Sequence, residues 1–179
     1  MEFAARPLIR NEEQVQKADR LVADLYSRHA RRIFNLALRF AAEPTEAEDL
    51  TQEVFLRVCK KIHTLRPGTD PDPWLTRVAV NVFLNRRPSH PAPGPLEGDP
   101  PAKARPAKRL EALEEARRLL GRLSPIRRMV FLLVHHESHT ATEAAALCNM
   151  PVNTVKSHLK RARRTLAEAL KRRPEHELP

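Results

Sequence analysis

Aromatic residues make up only 4% of this 179-residue chain, which has four glycines and two cysteines. Strands would need β-branched and aromatic residues in alternation; that alternation is nearly absent, while Ala, Leu, Glu and Arg abound, so helices are expected throughout. The longest uninterrupted apolar run is Met129 to Val134, far short of a membrane span, and no membrane insertion is expected. Met1 to Gln14 is polar and has no apolar core segment, which argues against a secretory signal. The cysteines, Cys59 and Cys148, lie far apart without metal-ligand spacing, so a reducing, cytoplasmic location is the simplest reading. Acidic residues are also in deficit. With 32 Lys and Arg against 22 Asp and Glu the net charge is +10, which points to a polyanionic partner.

The chain divides by composition. Residues 1–17 form a weakly specified extension. From Asp19, Val22, Leu25, His29, Ile33, Leu36 and Phe40 follow helical spacing until Pro44. Thr45 and Glu48 have the spacing of a capping box, opening a helix with Leu50, Val54, Val58 and Ile62 as its buried stripe. "TLRPGTDPDP", residues 64–73, cannot be helical; Asp72 is placed to cap a third helix, with Pro73 in its first turn, running to about Arg87. These three helices make a first domain at residues 18–88. Prolines then dominate 89–108, a segment too poor in apolar residues for a core and long enough to span roughly 60 Å if extended. A second domain follows at 109–173, with a tail at 174–179. The fold class is all-α, in two small helical domains joined by a Pro-rich linker.

Within the second domain one helix ends near Gly121, and Ser124 and Pro125 start the next. Thr140 and Glu143 form a capping box for a short Ala-rich helix, Asn149 suits the left-handed residue that ends it, and Pro151 blocks its continuation. Asn153 is then expected to cap a basic helix whose Val155, Leu159, Ala162 and Leu166 face inward. Short helix, tight turn and second helix make a helix-turn-helix pattern. From Asn153 to Arg173 the local charge is +7, most of the chain's excess. As a major-groove helix it would offer Asn153, Thr154, Ser157 and His158 near its start and Lys156, Lys160, Arg161 and Arg164 for guanine edges and phosphates; a solvated basic surface helix is the plainer alternative.

Two further constellations stand out. Asp49, Gln52 and Glu53, at i, i+3 and i+4, put an acidic face on the second helix, unsuited to DNA and suited to a basic protein surface. On the third helix Trp74, Asn81 and Asn85 form a stripe of ring and amides, with Arg77, Arg86 and Arg87 supplying charge; unpaired bases are recognised by such mixtures, and the loop at 64–72 has room to hold a flipped base. For the Trp74 ring a core position is the favoured alternative, and the asparagines and arginines are the better candidates for DNA contact. His135, His136, His139 and Cys148 carry ligand atoms, but their spacing is wrong for a metal centre, and no nucleophile–base set or Gly-rich phosphate loop exists. Neither cofactor nor enzymatic activity is expected.

The stretches "EAEDLTQEVFLRV" (46–58), "WLTRVAVNVFLNRR" (74–87), "LSPIRRMVF" (123–131) and "TEAAALCNMPVNTVKSHLKRARRTL" (142–166) together resemble, in the same order, the two regions of bacterial extracytoplasmic-function sigma factors. The resemblance implies a subunit that binds core RNA polymerase and directs it to promoter DNA. In the family the segment matching Asp49, Leu50, Gln52, Glu53 and Leu56 docks on the polymerase clamp. The first domain, through Trp74, Arg77, Asn81, Asn85, Arg86 and Arg87, would open the minus-ten element, and the helix-turn-helix would read the minus-thirty-five element. An anti-sigma partner is a further implication. Ala144 stands where the family usually has an aliphatic residue, Asn149 and Asn153 where glycines are common, and His158 where an Arg is common, so the promoter sequence read here is open. A stand-alone helix-turn-helix regulator, or a sigma-like module that sequesters a regulator, are the alternatives.

Overall fold

A computed structural model describes residues 12–41, 43–66, 68–86 and 107–171. Among these residues the chain forms seven α-helices and a single 3-10 turn, with no strand: α1 (Glu12–Phe40), α2 (Pro44–Lys61), the turn Ile62–Thr64, α3 (Pro71–Asn85), α4 (Ala107–Gly121), α5 (Pro125–His135), α6 (Ala141–Cys148) and α7 (Val152–Lys171). None is long and apolar enough to cross a membrane.

In the first domain α1 packs along α2, and α3 closes the bundle. Leu25, Ile33 and Leu36 of α1, Leu50, Val54 and Val58 of α2, and Leu75, Val80 and Phe83 of α3 are almost completely buried. Each such side chain contributes about 1.5–3 kcal/mol by leaving water. Phe40 stacks on Phe83 with ring centroids 5.3 Å apart, and Tyr26 meets Phe55 edge-on at 4.8 Å. In the second domain α7 lies across α5 and α6, burying Val155, Leu159 and Ala162 against Met129, Leu133, Ala144 and Ala145.

Several helix ends differ from the sequence reading. Glu43, not Thr45, is the N-cap of α2, with Pro44 in the first turn, and no side chain caps that end; the proline, one residue before the expected box, has already fixed the first helical φ. Helix α3 begins at Pro71: the Asp70 carboxylate accepts from the Asp72 amide at 3.0 Å, so the cap lies two residues earlier than expected. Asn153 lies inside α7, which starts at Val152; the carbonyl of Pro151 accepts from the amides of Thr154 and Val155 and takes the place of a side-chain cap. Helix α1 starts at Glu12, ahead of the expected Asp19, and α4 begins at Ala107, inside the expected linker. The Thr140–Glu143 box is complete: Glu143 N to Thr140 Oγ1 is 3.2 Å and Thr140 N to Glu143 Oε2 is 2.7 Å. Asn149 takes the left-handed conformation at φ 51° and ψ 51°.

The two domains touch. Helix α1 packs on α4 and α5, and α3 on α5 and α6, so the two cores merge into one continuous apolar cluster. Arg128 of α5 is a hub of this arrangement. Its guanidinium donates to the carbonyls of Leu120 (2.9 Å), Gly121 (3.2 Å) and Leu123 (3.3 Å), satisfying the end of α4, and also to the Phe40 carbonyl, while lying 5.6 Å from the Phe40 ring centroid.

Candidate nucleic-acid interface

Helix α7 places the predicted groove-facing residues on one side because its other side is held by the core. Val155, Leu159 and Ala162 are buried at i, i+4 and i+7, so Asn153, Lys156, Ser157, Lys160, Arg161 and Arg164 fall on the exposed arc. Thr154 is half-buried. Arg164 pairs loosely with Glu168 at 3.8 Å within the helix, an exposed contact that a phosphate can replace. Arg163 turns instead toward α5, with Nη2 3.3 Å from His135 Nε2.

His158 is not on the open arc. It is half-buried, its Nδ1 is enclosed without a hydrogen-bond partner, and burial followed by the charges of Arg127 and Arg161 holds its pKa below the ordinary value, so the ring is neutral at pH 7. It therefore adds no positive charge to the groove face at that pH. Spacing alone cannot show this, because position 158 lies at the boundary between the inner and outer arcs.

The α3 stripe is only partly open. Asn81 and Asn85 are exposed, the Asn85 side-chain amide donating to the Asn81 carbonyl at 2.8 Å. Trp74 is half-buried against the core and donates through Nε1 to Thr64 Oγ1 at 3.2 Å, so the ring is a structural wall that ties α3 to the preceding loop. That loop turns at Gly68, whose φ of +77° would strain any residue with a Cβ. Arg77 donates to the Ala146 carbonyl in the last turn of α6, at 3.3 Å. Arg86 leans back onto α2, where it pairs with Glu46 (3.3 Å) and Asp49 (3.6 Å). Arg87 lies outside the described residues.

On α2, Asp49, Gln52 and Leu56 are exposed and Glu53 is half-buried. Leu56, 55% exposed, is an apolar side chain one turn beyond these acidic positions. Leu50 is a correction to the predicted set: at 1% exposure it packs in the core and supports the face from beneath. A groove beside this face is lined by Asp49, Glu53, Arg57, Asn85 and Arg86, so the acidic surface and the amide stripe adjoin.

Four residues that sequence reasoning missed join the domains: Arg32, Thr76, Arg128 and Glu137. Thr76, 1% exposed, donates to the Asp72 carbonyl at 2.8 Å and accepts from both terminal nitrogens of Arg32 at 3.2 and 3.1 Å; Arg32 also pairs with Glu137 at 2.8 Å. Contacts across 105 residues leave no local periodicity to detect. Cys148 is half-buried against the core, and burial pushes its thiol up to about 11, which suits the packing role expected of it. Among the described residues no group of three or more His, Cys, Asp or Glu could hold a metal ion.

Sigma-70 region 2 matches residues 25–90 and sigma-70 region 4 matches residues 113–166. The chain belongs to the sigma-70 family, in its extracytoplasmic-function group. It is 32% identical to the ECF RNA polymerase sigma factor SigE of Mycolicibacterium smegmatis over 158 residues, which are 82% of this chain and 60% of that relative, so it spans less than two thirds of SigE's length. It is 30% identical to the ECF RNA polymerase sigma factor EcfG of Rhodopseudomonas palustris over 139 residues, 75% of this chain and 76% of the relative. The fold of this sigma factor is similar to that of CnrH, solved in complex with the cytosolic domain of CnrY (TM-score 0.62, 24% identity, 88% of this chain and 94% of that one). It is also similar to the sigma factor RpoE of Bartonella quintana, solved with the anti-sigma factor NepR (TM-score 0.59, 20% identity, 85% and 98%).

Proposed function

We propose that this sigma factor docks on core RNA polymerase through the α2 face of Asp49, Gln52, Glu53 and Leu56, opens the minus-ten element through α3 and reads the minus-thirty-five element through α7. The observation that carries this reading is the coexistence, on one basic chain, of an acidic protein-binding face on α2 and a basic helix-turn-helix with its outer arc open. Neither surface is sufficient alone. A few phosphate contacts from each small domain give weak, salt-dependent affinity, and polymerase supplies the raised effective concentration that makes the second contact nearly intramolecular. Asn153, Thr154, Lys156, Ser157, Lys160, Arg161 and Arg164 form the groove contact, with His158 a neutral neighbour at pH 7. Asn81, Asn85 and Arg77 with Arg86 and Arg87 serve the opened strand. Catalysis belongs to the polymerase, and the sigma factor has no enzymatic activity of its own.

An anti-sigma factor is a fitting second partner, since the fold is shared with a sigma factor solved in complex with one. The working compartment is the cytoplasm, where polymerase and promoters are. Run-off transcription with purified core polymerase on pooled genomic fragments, with and without this protein, tests the reading. Discrete new start sites are expected. Failure to form any polymerase complex would leave a stand-alone DNA-binding regulator.

A further inference from the structure

We propose that Arg127 of α5, together with His158 and Arg161 of α7, forms a binding site for a backbone phosphate of duplex DNA, so that α5 itself takes part in the minus-thirty-five contact. The site rests on the sigma-factor reading above and deepens it. Helix α5 packs against α7. Arg127 is half-buried in the first turn of α5, Arg161 is exposed, and the charges of both act on the half-buried His158 ring. Among the described residues neither arginine has an ion-pair or hydrogen-bond partner, whereas Arg57 and Arg86 in the first domain are matched by carboxylates. The Nδ1 of His158 is enclosed and also lacks a partner. Two cations around an imidazole, with no anion among them, repel one another. A phosphodiester seated there supplies the missing negative charge and accepts from both guanidinium groups.

The positions of these residues fit the wall of a groove. Successive side chains of an α-helix turn by roughly 100°. Taken from the inward direction shared by the buried Val155, Leu159 and Ala162, His158 stands about 65° and Arg161 about 125° to one side, and Lys156 about 95° to the other. Asn153 and Ser157 point nearly outward, toward the groove floor. A helix seated in the major groove, about 12 Å wide, has a phosphate strand along each flank. Lys156 serves one strand; Arg161 and Arg127 serve the other, which carries the contact beyond α7 onto the neighbouring helix. His158 also makes the site responsive to protons. Helices α4, α5 and α6 pack against α7. The charges acting on the ring are those of Arg127 and Arg161, while Glu143 of α6 is bonded to Thr140 and Glu114 of α4 to Arg117. In the free protein burial, then these two charges, keep the ring neutral at pH 7. A phosphate beside it favours the imidazolium instead, so DNA binding should draw in protons.

The test uses the full chain in complex with core polymerase, bound to a promoter fragment recovered by run-off transcription and kept cold so that the duplex stays closed. Fluorescence anisotropy reads Kd at several salt concentrations and between pH 7.5 and 6. Arg127→Ala should weaken binding roughly three- to tenfold and lower the slope of log affinity against log salt by about 1, equally on fragments altered in the minus-thirty-five element. Arg127→Lys, which keeps the charge, should keep the slope. Wild type should bind more tightly as pH falls, within the limit of about tenfold per pH unit that one proton sets, and His158→Gln should lose part of that gain. A wild-type salt slope for Arg127→Ala would overturn the site, even with weakened binding, since a loss at constant slope is a packing effect. A pH profile of His158→Gln parallel to that of wild type would overturn the part given to the imidazole. If no polymerase complex formed, the sigma-factor reading would fall, while the same variants of the full chain on duplex DNA at low salt would still decide whether Arg127 meets a phosphate.

Discussion

The guanidinium of Arg86, at the end of α3, lies 3.6 Å from the carboxylate of Asp49 on α2 and 3.3 Å from that of Glu46. A cation of the α3 stripe proposed for the opened DNA strand is therefore held by two carboxylates of α2, one of which, Asp49, belongs to the face proposed to meet polymerase. Asp49 is 69% exposed at its side chain, so the pair adds little to stability, on the order of 0.2–1 kcal/mol. A basic partner docking on Asp49 competes with Arg86 for it and leaves the arginine freer to reach DNA. Asp49→Asn should lower affinity for core polymerase about fivefold, equivalent to roughly 1 kcal/mol, and leave thermal stability nearly unchanged. Titration of the labelled variant with core polymerase checks this; wild-type affinity would remove α2 from the contact.

The outer arc of α7 should act through phosphates as well as base edges. Replacing Lys160 or Arg161 by alanine is expected to weaken DNA binding about equally across sequences and to reduce the slope of log affinity against log salt by about 1 per residue. Ser157→Ala should leave the salt slope alone and change the preference among sequences, because a hydroxyl near the helix start reads base edges. Binding of the polymerase complex to promoter variants at several salt concentrations separates the two classes. Equal salt slopes for Lys160→Ala and wild type would place Lys160 away from the backbone.

Much of this arrangement was legible in the sequence, and the reasons differ from element to element. Helix α6 and its turn were readable down to single residues because their signals are local, the Thr140–Glu143 box and the Asn149 turn, whereas the start of α7 was misplaced at Asn153, which lies inside the helix. The start of α2 was misplaced because two local signals compete there, and Pro44 in the first turn wins over Thr45. Leu50 was counted both as core and as polymerase surface, a choice that only tertiary packing makes. The seam between the domains was illegible. Arg32, Thr76, Arg128 and Glu137 look like ordinary helix and loop residues until residues 44 to 105 positions apart are brought together.

The local signals can be tested through stability. Thr140→Ala removes the hydroxyl that accepts from the Glu143 amide, and a loss of about 1 kcal/mol is expected, a fall of roughly 2–4 °C in Tm for a chain of this size. Asn149→Gly should be neutral or slightly stabilising, since glycine reaches φ 51° without a Cβ penalty, whereas Asn149→Val should cost about 1–2 kcal/mol. Urea unfolding curves of the three variants give the ranking. Asn149→Val as stable as wild type would mean that the turn between α6 and α7 contributes nothing to holding the helix-turn-helix.

Acid should loosen this protein through its histidines before its carboxylates titrate. Burial is the leading cause that holds His135, His136 and His158 below their ordinary pKa; neighbouring arginines add to it, Arg163 for His135, Arg39 for His136, and Arg127 and Arg161 for His158, while Glu137 partly opposes the shift at His136. The sign follows from linkage: the unfolded chain, with ordinary imidazoles, takes up protons first as pH falls below about 6.5, so stability declines from there toward the lowered folded values. Glu143 acts later and in the ordinary carboxylate direction. Hydrogen bonds from the backbone and side chain of Thr140 hold its pKa below the usual 4.5, so its contribution is complete above that value and is lost on further acidification. Thermal unfolding between pH 7.5 and 5 should therefore show a falling Tm, and His158→Gln should flatten part of that fall because glutamine has no proton to take up. A Tm that rises as pH drops from 7 to 5.5 would show that these imidazoles gain a stabilising charge on folding, opposite to the desolvation and neighbouring arginine charges that hold them low.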